Sequence, residues 1–149
     1  ILLMFVGASP GSTGGGIKTS TFGILFATVW SMIKGKEEVT LFRKTVPKEI
    51  VRKALAIFII SLLLVLVFTL LLLMTEKKEF GKVLFETVSA FGTVGLSTGI
   101  TSQLSFIGRI IIIITMFIGR IGPLALAIAI GQREYPAAYK YPEERVMVG

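Results

Sequence analysis

Cysteine and histidine are both absent from this chain of 149 residues. Their absence excludes disulfide bonds, thiol nucleophiles and the usual ligand sets for zinc and haem. Charge is also scarce, because charged residues make up 17% of the sequence, where a soluble domain has about a quarter. Since no pair of carboxylates lies in a plausible site either, an enzyme is the weakest of the possible functions.

Apolar residues make up 53% of the sequence, and they are clustered. The stretch 54–74 holds 21 residues without a charge, and Ser61 and Thr69 are its only clearly polar members. A helix rises ~1.5 Å per residue, so this stretch covers the ~30 Å hydrocarbon core of a bilayer. Core helices of soluble proteins rarely stay apolar all round for such a length. The composition therefore predicts a membrane protein.

The first residues of the chain are already apolar, without the basic region or the cleavage site of a signal peptide. We therefore expect Ile1 to lie inside a helix and the chain to be a piece of a larger protein.

A basic segment accounts for much of the net charge of +7. Residues 34–53 carry seven lysines and arginines against three glutamates, and they lie between two apolar segments. This distribution is typical of a cytoplasmic loop under the positive-inside rule. It requires no nucleic acid as a partner, and the lipid bilayer is sufficient to explain it.

Apolar periodicity and breaks divide the chain into helices and connections. An apolar segment is broken by a loop that contains Pro10 and five glycines, and a later helix is too short to span a bilayer. The predicted segments are a broken helix at 1–33 with an intramembrane loop at 7–16, a basic cytoplasmic loop at 34–53, a helical unit at 49–131 and a cytoplasmic tail at 132–149. The unit at 49–131 consists of a helix at 49–74, a short helix at 80–91, a turn at 92–99 and a helix at 104–131.

The turn after the short helix is the candidate ion site, and it consists of Thr93, Val94, Gly95, Leu96 and Ser97. Non-helical backbone at membrane depth is tolerated where it lines a cavity, and carbonyl oxygens there can replace the water around an ion. Gly95 supplies a positive φ at little cost, and the helix C-terminus favours a nearby cation. We expect potassium at the carbonyls of Thr93, Val94 and Gly95, with the Thr93 hydroxyl as a further candidate ligand. An ordinary turn is the alternative for the isolated tetrapeptide.

Three motifs and the C-terminal tail resemble the Trk/Ktr/HKT superfamily of potassium transporters, in particular the KtrB membrane subunits of bacterial Ktr systems. The segments are TVGLS at 93–97, MFVGASPGSTGGGIK at 4–18, MFIGRIGP at 116–123 and the tail at 141–149. Ser97 stands where a channel filter has a second glycine, which fits this family. The resemblance covers essentially the whole chain.

The resemblance implies an all-α membrane protein built from helix–pore loop–helix repeats of potassium-channel type, here the end of the third repeat and the complete fourth. It implies that residues 93–97 form one quarter of a selectivity filter and that Arg120 is an electrostatic barrier below it. It also implies a gating loop with these residues: Gly11, Ser12, Thr13, Gly14, Gly15, Gly16 and Lys18.

The same resemblance implies potassium uptake across a bacterial cell membrane by a multi-pass, pore-forming subunit. Potassium is the expected ion, and sodium is a further candidate as an activator or a coupled ion. The expected partners are a second copy, forming a homodimer, and a cytoplasmic KtrA-like nucleotide-binding ring.

Several alternatives stay open at this point. The glycine loop has P-loop spacing, but Ile17 stands where the phosphate-binding lysine belongs, and a flexible helix break is the plainer reading. Arg120 could pair structurally with loop carbonyls or with a distant acid instead of forming a barrier. Arg109 is expected to snorkel or to pack against Glu86. The alternative function is a non-conducting structural or assembly subunit with a re-entrant packing loop.

Overall fold

The computed structural model describes residues 1–35, 39–41, 44–122 and 125, and its regular structure is almost entirely helical. The parts of the basic loop at 36–38 and 42–43, most of the predicted last helix beyond 122, and the tail at 132–149 lie outside the described residues. The helices are α1 (Leu2–Val6), α2 (Thr19–Ile33), α3 (Lys48–Thr75), α4 (Phe80–Gly92) and α5 (Phe106–Ile121), with a 3₁₀ turn at Thr101–Gln103.

The longest helix is α3, with 28 residues and a mean hydropathy of 3.2 over its most apolar window. Among the described helices it is the one that is long and apolar enough to cross a membrane, whereas α2 is apolar but shorter. The helix starts directly after Pro47, whose fixed φ and missing N–H suit the beginning of a helix. Its bounds differ by one residue at each end from the predicted 49–74.

The basic loop contains a short antiparallel pair of strands that the sequence analysis did not predict. Strand β1 (Thr40–Leu41) pairs with β2 (Lys44–Thr45), and the amide of Val46 donates to the carbonyl of Val39 beyond them. Threonine and valine favour extended backbone because of their branched Cβ atoms, which accounts for strands at this place. The purely α-helical prediction thus needs this small exception.

The short helix α4 packs against α1, α3 and α5, and these contacts form the core. One apolar cluster joins α3, α4 and α5 around Leu72, Val83 and Ile112. A second cluster joins α1, α3 and α4, and in it the fully buried ring of Phe91 stacks on Phe5 at 6.2 Å between centroids. These contacts hold the C-terminal end of α4 inside the helix assembly.

Small hydroxyl residues occupy the interfaces between these helices. Ser61, Thr69, Thr87 and Thr115 are almost completely buried, and each hydroxyl donates to the carbonyl four residues earlier in its own helix, at 2.6–2.9 Å. Each hydroxyl therefore has a hydrogen-bond partner without help from water, as an apolar environment requires. Small side chains also allow the helices to approach closely.

Candidate functional site

The helix α4 ends inside the protein and delivers the chain into the candidate ion site. Its 13 residues rise ~20 Å, so the helix is too short to cross a bilayer. The chain leaves it through Thr93, which has a left-handed conformation with φ 51°. The amides of Thr93 and Val94 donate back to the carbonyls of Ala90 and Ser89, both at 3.0 Å. Gly92, predicted to open the turn, is the last residue of the helix.

Three consecutive carbonyl groups follow this helix end without a hydrogen bond. Within the described part of the chain, the carbonyl oxygens of Thr93, Val94 and Gly95 accept none. The carbonyl of Leu96 differs, because it accepts from the Ser89 hydroxyl at 2.5 Å. Gly95 has φ +82°, the conformation for which glycine was predicted. The segment after Thr93 is exposed as far as residue 99.

The glycine-rich loop between α1 and α2 touches this site directly. The amide of Gly15 donates to the hydroxyl oxygen of Thr93 at 2.8 Å, and the amide of Gly16 donates to the carbonyl of Gly119 in α5 at 3.3 Å. The hydroxyl of Thr93 is thus engaged with the loop, whereas the sequence suggested it as an additional ion ligand. These bonds bring together the loop, the start of the candidate filter and α5.

Glycine is required at this junction because backbone meets backbone. A Cβ on Gly15 would lie 2.9 Å from the carbonyl oxygen of Phe91 and 3.0 Å from that of Gly119. A Cβ on Gly119 would clash with the same Phe91 oxygen, and a Cβ on Gly92 would lie 2.6 Å from the carbonyl oxygen of Met4. The junction of the three segments therefore excludes any larger residue without displacement.

Lys18 closes the glycine-rich loop on itself. Its ammonium group donates to the carbonyl oxygen of Gly14 at 2.9 Å and to that of Ser12 at 3.4 Å. The side chain is half-buried, and α2 begins at the next residue. A charged donor on two loop carbonyls stabilises the folded loop more than a neutral donor would.

The predicted gating residues are not equivalent in the structure. Gly11, Ser12 and Thr13 form the exposed tip of the loop, while Gly15 and Gly16 are buried and make the contacts with the filter side and with α5. No lysine follows the last glycine directly, and the loop lies between two helices. The P-loop alternative therefore lacks both its lysine position and its preceding strand.

Glu86 is a buried carboxylate beneath the segment that follows the candidate filter. It is 5% exposed, and one carboxylate oxygen accepts from the amide of Thr98 at 2.9 Å and from the hydroxyl of Ser97. The other oxygen accepts from the hydroxyl of Thr101 at 2.9 Å. The Ser97 hydroxyl oxygen in turn accepts from the amide of Gly99 at 2.9 Å. A single side chain of α4 therefore organises residues 97–101.

Of the two alternatives for Arg109, packing against Glu86 lacks support, because the two side chains share neither a hydrogen bond nor an ion pair among the described residues. Arg109 donates instead to two backbone carbonyls, those of Leu104 and Ser102, both at 3.1 Å. The Glu86 carboxylate accepts instead from the hydroxyls and the amide of residues 97–101. Arg109 and Glu86 therefore each bind other groups and not one another.

Arg120 lies directly beside the loop junction along the chain. Its neighbour Gly119 accepts the hydrogen bond from Gly16, and the Arg120 side chain is exposed. Among the described residues, its guanidinium group has neither a hydrogen bond nor an ion pair. The backbone thus places Arg120 beside the loop.

A comparison with protein families identifies the class of this chain. Residues 1–136 match the family described as TrkH, cation transport protein. The chain belongs to this family. The match confirms the resemblance to the Trk/Ktr/HKT superfamily. It also agrees with the low rank that the composition gave to an enzyme, because this is a family of transport proteins.

Three relatives of the TrkH family show how the chain compares in sequence. It is 48% identical over 149 residues to Ktr system potassium uptake protein B of Vibrio alginolyticus, covering 100% of this chain and 32% of that protein. It is 46% identical over 147 residues to Ktr system potassium uptake protein D of Bacillus subtilis (strain 168), covering 99% and 33%. It is 41% identical over 155 residues to potassium/sodium uptake protein NtpJ of Enterococcus hirae, covering 100% and 34%. The chain thus spans about a third of the length of these relatives.

Two buried glutamates of this TrkH family chain have partners that sequence reasoning did not identify, although it had assigned Glu86 a structural role within the short helix. Glu86 organises the segment after the candidate filter, and Glu76 accepts from the amide and hydroxyl of Ser105 at 2.9 and 2.5 Å, at the start of α5. The signal for Glu86 was present, because it is the only charged residue between Lys82 and Arg109. Glu76 had no such signal, since it lies in a short polar connection that is rich in charge.

Proposed function

We propose that the full-length protein containing this chain takes up potassium as the pore-forming subunit of a Ktr/Trk-type transporter. In this proposal residues 49–131 form the fourth helix–pore loop–helix repeat, and residues 1–33 end the third. The carbonyls of Thr93, Val94 and Gly95 contribute one quarter of a ring of oxygens that selects potassium. The names of the relatives support potassium as the ion, and the name of NtpJ supports sodium as a further candidate.

One observation carries this proposal. Three adjacent carbonyls after a buried helix end lack hydrogen bonds within the described residues, whereas the next carbonyl, that of Leu96, is turned to Ser89. The segment is exposed from residue 94 onward, so its carbonyls are accessible, and carbonyl oxygens that accept no hydrogen bond can replace the water around a dehydrated cation. The C-terminus of α4 adds partial negative charge at the same place.

The gate belongs to the same proposal. The loop 7–16 and Arg120 lie together with α5 at the end of α4, and Gly15 bonds to the first filter residue. We assign the described arrangement to the closed state, with Lys18 holding the loop folded and Arg120 repelling cations. Opening then requires the loop to leave its contacts with Thr93 and Gly119.

The proposal includes the assembly that the Ktr resemblance implies. It places the protein in a bacterial cell membrane as a multi-pass homodimer, and α3 has the length and apolarity for one of the membrane spans. A cytoplasmic KtrA-like nucleotide-binding ring would control the gate from the side of the basic loop.

A pair of glycines provides the test. Gly95 and Gly35 both have positive φ, +82° and +65°, and a Cβ on either would meet no atom within 4 Å. Alanine therefore brings backbone strain at both positions, but Gly35 lies just beyond α2, outside the segment that holds the candidate filter. The assay is growth at low potassium of a cell that lacks its own uptake systems, with the full-length protein supplied.

We expect the unaltered protein and Gly35→Ala to restore growth and Gly95→Ala to fail, at equal amounts of protein in the membrane. Absence of rescue by the unaltered protein with its regulatory partner would favour the non-conducting structural subunit. Equal rescue by both variants would contradict the assignment of the filter.

A further inference from the structure

The segment directly after the unpaired carbonyls is fastened to α4 rather than to the neighbouring helices. The carbonyl of Leu96 accepts from Ser89, and the next residues bond to Glu86. At the other end of the row, the amides of Thr93 and Val94 bond to the last turn of α4. The carbonyl row is therefore held at both ends by one helix, so its oxygen positions depend on both attachments.

Of these two attachments, the one through Glu86 carries a charge. The carboxylate accepts the Thr98 amide at 2.9 Å and the Thr101 hydroxyl at 2.9 Å, on different oxygens, and it also accepts the Ser97 hydroxyl. Hydrogen bonds to an ionised acceptor are roughly twice as strong as neutral ones. A buried acid with this many donors fixes the backbone of the segment more firmly than a neutral turn would.

We propose that Glu86 is a positioning residue for potassium selectivity, which holds the Gly95 end of the carbonyl row at the spacing that potassium requires. This inference rests on the proposed function, because it assumes that residues 93–95 bind the ion. Glu86 acts through Ser97, Thr98 and Thr101, since its own oxygens are occupied by their hydrogen bonds.

Potassium selectivity is sensitive to such a restraint. A site distinguishes two ions of equal charge by how well its oxygens replace the water around each. When Glu86 is lost, the Ser89–Leu96 bond alone holds this end of the row, so the carbonyls can close more easily around the smaller sodium ion, and discrimination falls. Loss of Glu86 should therefore change the ratio of potassium to sodium transport more than it changes the maximal rate for potassium.

The chain offers a matched control in Glu76. This second acid is 7% exposed and also accepts a backbone amide and a hydroxyl, from Ser105, but it supports the start of α5. Substitution at either glutamate removes a buried carboxylate with charge-assisted hydrogen bonds. The two sites differ in whether the bonded segment adjoins the carbonyl row.

The experiment uses the full-length protein with its regulatory partner, reconstituted in liposomes, and measures potassium and sodium uptake separately. The variants are Glu86→Ala, Glu86→Gln, Glu76→Ala and Glu76→Gln, with thermal stability measured on each. Glu86→Ala removes the hydrogen bonds from the Thr98 amide and from the hydroxyls of Ser97 and Thr101, and we expect it to lower the potassium-to-sodium ratio by about tenfold or more. Glutamine at 86 should restore part of the ratio, because its amide oxygen can accept the Thr98 amide. The Glu76 variants should lower thermal stability and leave the ratio unchanged.

If Glu86→Ala does not fold, Thr101→Val provides a milder variant, since it removes one donor to the carboxylate from an exposed position and should lower the ratio by a smaller factor. An unchanged ratio in a folded Glu86→Ala, or in Thr101→Val when Glu86→Ala does not fold, overturns the inference. An equal fall in the Glu76 variants overturns it as well. If the unaltered protein transports no potassium, the proposed function fails first; if it transports potassium selectively and the Glu86 variant does so equally, only this inference fails.

Discussion

Gly15 lies where the loop, the end of α4 and α5 meet, and its replacement by alanine tests the proposed gate. A Cβ at this position would lie 2.9 Å from the Phe91 carbonyl oxygen, 3.0 Å from the Gly119 carbonyl oxygen and 3.0 Å from Cγ2 of Thr93. Two of these three atoms belong to backbone in packed helices. We expect the loop to move away, because the other two segments belong to the helices α4 and α5.

The size of the effect follows from these contacts. Adding a methyl group to a well-packed site costs about 1–3 kcal/mol. Gly15 has no positive φ, so backbone strain adds nothing to this cost. If the cost falls on the closed arrangement alone, the ratio of closed to open protein drops by roughly 5-fold to 150-fold. The variant should then be leaky.

The assay is potassium flux into liposomes containing the full-length protein without its regulatory ring. We expect Gly15→Ala to raise this flux relative to the unaltered protein. The control is Gly23→Ala in α2, where a Cβ meets no atom within 4 Å. Unchanged flux from folded Gly15→Ala protein, or an equal rise in the control, would refute the reasoning about the gate.

Three further substitutions test the same junction. Thr93→Val removes the hydroxyl that accepts from the Gly15 amide, and the buried unpaired amide should cost about 1–3 kcal/mol of stability, measured by thermal unfolding; Thr93→Ser keeps the acceptor and should be close to the unaltered protein, and an equal loss in both would contradict this role. Lys18→Met removes the ammonium group from the Gly14 carbonyl, so hydrogen exchange of the loop amides should accelerate, and unchanged exchange would exclude a restraining role. Gly119→Ala places a methyl group against the end of α4 and should lower the unfolding temperature, whereas an equally stable variant would show that the close approach is not required.

The sequence allowed the prediction of the helices because their signals are local. The predicted helix 49–74, which contains the uncharged stretch 54–74, differs from α3 by one residue at each end, and the conformation of Gly95 followed from the turn chemistry of a short motif. Family membership was also evident in the sequence, because the motifs at 4–18 and 93–97 are specific. Partners of charged side chains were less predictable: Arg109, for which Glu86 was one of two alternatives, donates to the carbonyls of Leu104 and Ser102.

Composition and order along the chain determined the class of this protein: a largely helical chain of the TrkH family with a glycine-rich break and a TVG turn. Only the tertiary structure decided that the Thr93 hydroxyl bonds to Gly15 and that Glu86 organises residues 97–101. The physical reason is distance along the chain. Helix formation and positive φ depend on neighbouring residues, whereas the Gly15–Thr93 bond joins residues 78 positions apart. Such bonds form only after packing has placed two backbones in contact.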